Sequence, residues 1–206
     1  MSTSKDSLFD MVKLGLILVC YAVASCTVLA IVNNFTSPKI LENQILKAKE
    51  AMSVVMPEAT NFEIVDGLEN LSSSQKFTLS DFYLAKNDEK IIGGVIQVEG
   101  PTYERGKIIV GVKTDGTISG LQFLELSDSP GFGLKANDPT FILPSGKTFY
   151  DQFTGKDAKS GFSNGANFDS ISGATITSHA VGELVNYGTS VILKYFSENL
   201  SGEINE

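Results

Sequence analysis

From Leu14 to Val32 the chain reads LGLILVCYAVASCTVLAIV, without one charged residue. As a helix this run reaches ~28 Å, about the thickness of a bilayer's hydrocarbon core. It is expected to be a transmembrane helix over residues 14–32, preceded by a short leader over residues 1–13. A cleaved signal peptide shares the feature, and so does a lipoprotein signal with its box at Val23-Ala24-Ser25-Cys26. The run continues past Cys26 through Val28, Leu29, Ile31 and Val32, whereas a signal's apolar region is shorter and stops at its small-residue site. A retained anchor is therefore the expected reading. Lys5 and Lys13 precede the run, and Lys39 and Lys47 follow it at similar distance. The lysine count gives no orientation.

The remaining residues are enough for one ordinary domain. Both cysteines, Cys20 and Cys26, sit inside the apolar run, so the domain beyond it has no thiol for a disulfide or a zinc site. No metal site is expected. The formal net charge is -8, with Arg105 the single arginine. Nucleic acid is excluded as a natural partner, because phosphate binding needs clustered Lys and Arg.

Pro38 opens a helical pattern that runs to about Met56 and is halted by Pro57; a break from the membrane helix is expected at Pro38. Residues 69–75 are polar and serine-rich, a surface loop. Strand-like runs follow at Phe82–Ala85, Ile91–Val98, Lys107–Val112 and Thr117–Leu126, with turns at Asn87-Asp88 and Asp115-Gly116, as in hairpins. A last helix is expected from near Ser178, with Val181, Leu184, Val185, Ile192 and Tyr195 on one face. Strands in the middle and helices at both ends predict an α+β domain over residues 37–206, with a central antiparallel sheet and flanking helices.

Just before that last helix stands Asp169-Ser170-Ile171-Ser172-Gly173-Ala174-Thr175-Ile176-Thr177-Ser178. A helix start offers unpaired N–H groups and a positive dipole end, which suits a phosphate. Gly173 and Ala174 let a bulky group approach the backbone, and Thr175 offers a hydroxyl beside it. A plain capped helix start uses the same residue types. The stretch resembles the Asp-x-x-Ser-Gly-Ala-Thr attachment motif of the FMN-binding domain family, in which a flavin transferase joins the FMN phosphate to the threonine. The resemblance implies covalent FMN on Thr175, with Asp169, Ser172, Gly173, Ala174 and Thr177 at recognition or binding positions. It extends through Gly100-Pro101, Ile108–Val112 and Asp115-Gly116 to Ser127-Asp128-Ser129-Pro130-Gly131-Phe132-Gly133, which is similar to the family's Glu-Thr-Pro-Gly-Leu-Gly loop. Here Asp128 replaces Glu, Ser129 replaces Thr and Phe132 replaces Leu, and Leu126 stands where a histidine is common. Gly131 and Phe132 would lie beside the flavin ring, with Phe132 packing on it; the competing reading makes Phe132 a core residue of an ordinary turn. Phe149–Lys156 also resembles the family.

Length and the single N-terminal helix resemble the G-subunit family of Rnf electron-transport complexes. That implies a flavoprotein relay in the cell membrane, single-pass, with the FMN domain on the extracytoplasmic side. It also implies complex partners that pass electrons between ferredoxin and NAD while moving Na⁺ or H⁺. The sequence shows no nicotinamide or iron–sulfur motif, so no catalytic residue is assigned and the chain would be a relay. Alternatives are a component of a sodium-pumping NADH:quinone reductase, a stand-alone flavin reductase, and an anchored binding or assembly module without flavin. The Ser178-His179 pair does not make a hydrolase, since adjacent helix residues do not face each other. His179 is expected on the solvent side, within reach of Glu183. Asp66, Glu69, Asp81, Asp88 and Glu89 are expected on a solvated face.

Overall fold

The computed structural model describes residues 3–65, 67 and 74–199. Residues 69–73 of the expected surface loop, and Asp66 with it, lie outside them. By internal contacts the chain divides into two compact units, Met1–Leu46 and Lys47–Glu206.

The first unit is helical. Helix α1 spans Thr3–Val55 and contains a stretch long and apolar enough to cross a membrane. The expected break at Pro38 does not occur, and the helix passes through it. Proline removes one N–H and so frees the carbonyl one turn earlier. Asn33, Asn34 and Ser37 around it are exposed, so the freed carbonyl is not buried. Ser37 Oγ also donates to Asn33 O at 2.8 Å, tying down the adjacent turn.

The second unit is built on a five-stranded antiparallel sheet with its strands in chain order. They are β1 (Asn61–Ile64), β2 (Thr78–Asn87), β3 (Lys90–Gly100), β4 (Gly106–Lys113) and β5 (Ile118–Leu126). The β2–β3 turn puts Asp88 at φ 53° and the β4–β5 turn puts Gly116 at φ 91°, left-handed positions that Asp and Gly tolerate. In the second turn Asp115 Oδ1 accepts from Thr117 N at 2.7 Å. Strand β1 is an addition to the sequence reading. It pairs with β2 from Asn61↔Lys86 to Ile64↔Tyr83, and the Lys86–Glu63 ion pair links the two strands.

Both faces of the sheet are covered. Ile96, Val98, Ile108, Val110 and Val112 belong to a core with Val181, Leu184, Val185 and Ile192, all from α2 (Thr175–Asn199). Val95, Ile109 and Ala85 pack with Met52, Val55 and Met56 at the end of α1. This α+β arrangement is the expected one.

Between β5 and α2 the chain runs through residues 127–174 with only two short 3-10 turns, Gly133–Asn137 and Ala158–Ser160. Four phenylalanines fix it. Phe153 meets Phe149, Phe162 and Phe168 with ring centroids 5.9, 5.2 and 5.3 Å apart. A long segment held in place by its own side chains is where function is usually carried.

Candidate functional site

Helix α2 begins at Thr175, three residues earlier than the sequence reading places it. Its first turn is β-branched and intrinsically weak as helix, so tertiary bonds fix it instead. Ser178 N donates to Ala174 O at 2.9 Å, which makes Ala174 the capping residue. Ser178 is fully buried. Its hydroxyl donates to Ala174 O at 2.9 Å and accepts from Ile171 N at 3.0 Å. Ser178 is therefore a bolt between loop and helix, with no hydroxyl left for hydrolysis. His179 is exposed, and its Nδ1 lies 3.9 Å from Glu183 Oε2.

The bolted turn leaves Thr175 exposed at the first position of the helix. The N–H groups of Thr175, Ile176 and Thr177 donate to no acceptor among the described residues. This is the donor set that a phosphate takes. Gly173 has φ 81°, a left-handed position open to glycine. A Cβ there would stand 3.3 Å from Phe132 Cδ1, so the Phe132 ring lies over Gly173. Phe132 is 57% exposed and is not a core residue.

The centre of the site is Asp128, which the sequence reading noted only as a shortened glutamate. It is 2% exposed. Oδ1 accepts from Thr102 Oγ1 at 2.5 Å and from Glu104 N at 2.9 Å. Oδ2 accepts from Thr177 Oγ1 at 2.5 Å and from Tyr103 N at 3.3 Å. Burial pushes its pKa up, but the bonds from the Thr102 and Thr177 hydroxyls and the Glu104 and Tyr103 amides outweigh it and hold it below the usual range. One carboxylate thus gathers the loop after β3, the loop after β5 and the start of α2. Gly133 must be glycine here, since a Cβ would meet Asp128 Cβ at 2.6 Å and Thr177 Oγ1 at 2.7 Å.

Two grooves meet at Thr175 and Ile176. One, about 430 Å³, is walled by Tyr103, Ser129, Phe132 and Gly173. The other, also about 430 Å³, is walled by Lys76, Pro101, His179 and Glu183. Lys76 Nζ donates to Glu183 Oε2 at 2.6 Å. Phe132, Gly173, Ala174 and Thr175 thus line one groove. Thr177 joins them, with its hydroxyl committed to Asp128. Ser172 and Gly131 are exposed and line neither groove. Asp169 lies apart, in a separate cavity with Lys147, Gln152 and Lys156. Burial lowers the Lys156 pKa, neighbouring Lys147 adds to this, and Asp169 opposes it.

Residues 104–190 match the FMN-binding domain family, and residues 1–55 match the RnfG N-terminal region. Across 197 residues the chain is 32% identical to the G subunit of the Na(+)-translocating ferredoxin:NAD(+) oxidoreductase complex of Acetobacterium woodii, covering 87% of this chain and 90% of that protein. The chain belongs to the RnfG family. It is 28% identical over 183 residues to the G subunit of the proton-translocating ferredoxin:NAD(+) oxidoreductase complex of Clostridium ljungdahlii, covering 88% of this chain and 90% of that one. It is 29% identical over 189 residues to the G subunit of the ion-translocating oxidoreductase complex of Methanosarcina acetivorans, covering 88% and 92%.

As an RnfG-type protein, the chain has an FMN-binding domain and, among the described residues, one helix long and apolar enough to cross a membrane. The groove residues fit an FMN. The free N–H groups at Thr175 suit its phosphate, and the exposed ring of Phe132 over the side-chain-free Gly173 suits a flat aromatic group.

Proposed function

We propose that this RnfG-family chain carries FMN as a phosphoester on Thr175 and relays electrons in an ion-translocating ferredoxin:NAD oxidoreductase complex. The observation that carries the reading is the exposed Thr175 hydroxyl, set among unpaired helix-start N–H groups and beside an aromatic groove. The bound flavin supplies the electron-carrying chemistry. The protein's part is to fix its phosphate at Thr175–Thr177 and its ring near Tyr103 and Phe132. Gly131 and Ser172 would shape the adjoining turns. Residues 14–32 would form the span and residues 37–206 the flavin domain, on the extracytoplasmic side.

Attachment needs a partner. A threonine hydroxyl is a weak nucleophile without a base or metal to activate it, and His179 pairs outward with Glu183. A flavin transferase supplies that activation. The Oγ–P bond to Thr175 forms as the anhydride bond of an activated flavin-nucleotide donor breaks. The threonine proton passes to a base of the transferase, and the nucleotide leaves with the anhydride oxygen. The test is expression with and without the transferase, followed by fluorescence of the denatured chain in a gel. Fluorescence only with the transferase supports the reading. A chain that stays dark with it, or that loads unaided, overturns it.

A further inference from the structure

We propose that Gln152 is a positioning residue that presents Asp169 to the flavin transferase; this rests on the reading of Thr175 as the attachment site. Gln152 is 4% exposed and stands between Phe149 and Phe153, both fully buried in the aromatic cluster. Its side chain makes both backbone bonds of Asp169. Oε1 accepts from Asp169 N at 2.8 Å, and Nε2 donates to Asp169 O at 3.1 Å. A neighbouring strand would satisfy a residue in the same way. The flanks are pinned too. Lys156 Nζ donates to Asn167 O, and Phe168 and Ile171 are 4% and 1% exposed.

Within this fixed frame the Asp169 carboxylate is exposed. It accepts no hydrogen bond and lies beyond ion-pair distance of any cation among the described residues, although its charge is felt by Lys156 across the cavity that both line. An aspartate that formed a turn would spend its carboxylate on nearby backbone N–H groups; this one does not. A carboxylate held out from a rigid backbone is a feature for another molecule to read. Thr175 stands six positions further along the chain than Asp169, so the two are at most ~20 Å apart. A protein interface covering roughly 800 Å² on each partner spans that distance. A transferase that reaches the Thr175 hydroxyl can therefore hold Asp169 in the same encounter. Without the Gln152 clamp, the Asp169 backbone would have to be ordered during docking, which weakens association.

The test uses full-length apoprotein in detergent, purified transferase and a flavin donor, with covalent fluorescence followed against apoprotein concentration. Gln152→Met keeps the volume and removes both bonds. It is expected to raise KM by about tenfold with kcat nearly unchanged. Asp169→Ala should do the same, and the double variant should be little worse than Asp169→Ala alone, because Gln152 acts through Asp169. Gln152→Glu keeps the bond from Asp169 N and should fall in between; it also decides the matter if Gln152→Met does not fold. The proposal is overturned by wild-type KM in Gln152→Met or Gln152→Glu, by a defect confined to kcat, or by defects that multiply fully in the double variant. If wild type never becomes fluorescent, the attachment reading has failed and this proposal with it. If wild type loads and the Gln152 variants load equally well, only this proposal has failed.

Discussion

Thr175 and Asp128 divide the work of one turn between them: Thr175 faces out, and Asp128 is buried beneath with four donors on its carboxylate. Under the proposed function Thr175→Ala removes the only atom that carries the flavin. It should give a folded chain without covalent fluorescence, read on a denaturing gel. Asp128→Ala strands the Thr102 and Thr177 hydroxyls and should lower unfolding free energy by about 2–3 kcal/mol, read by denaturant titration. The pH dependence follows from the lowered pKa of Asp128. The unfolded chain binds its proton more readily than the folded one. Its stabilisation is complete above the ordinary value of 3.8 and is lost as pH falls through the lower native value. Stability measured from about pH 5 downward should fall more steeply in wild type than in Asp128→Asn. The motif ending at Thr175 was legible in the sequence because it is contiguous. Asp128 was not, because its partners arrive from Thr102 and Thr177 and only the fold brings them together.

At the scale of elements, the hairpins were readable because apolar, β-branched runs such as Ile91–Val98 and Ile108–Val112 are bounded by Asn-Asp and Asp-Gly turns. Strand β1 alternates polar and apolar residues over four positions, too short a run to stand out in the sequence. Asn61-Phe62-Glu63-Ile64 becomes a strand by pairing with β2, a tertiary effect on a short edge. The start of α2 was misplaced because Ser178 has the chemistry of a cap, while the fold uses it as a buried bolt one turn inside. The break at Pro38 was wrong for a related reason, since the cost of an interior proline depends on whether its freed carbonyl is buried. One close contact here is testable. A Cβ on Gly111 of β4 would lie 2.6 Å from Val55 Cγ1 at the end of α1. Gly111→Ala should push these elements apart and cost about 1–3 kcal/mol through overpacking, measured by thermal or denaturant unfolding. A substitution with no loss of stability would show that this face is loosely packed.

For the whole molecule, the division at Lys47 predicts how the chain can be cut. Removing residues 1–36 deletes the apolar stretch but keeps Met52, Val55 and Met56, which cover Ala85, Val95 and Ile109. That truncation should be monomeric without detergent and unfold cooperatively. Removing residues 1–56 uncovers the sheet face and should aggregate or unfold at lower denaturant. Wild type should resist carbonate extraction from membranes; cleavage at Ser25 with lipid on Cys26 would replace the spanning helix with a lipid anchor. Under the proposed function the outward hydroxyl at the start of α2 holds the flavin. The most direct measurement is the mass of the Thr175-containing peptide from the chain isolated in its native complex. Covalent FMN makes that peptide heavier by one FMN less one water, with the added mass on Thr175. An unmodified Thr175 peptide from an active complex would contradict the proposal.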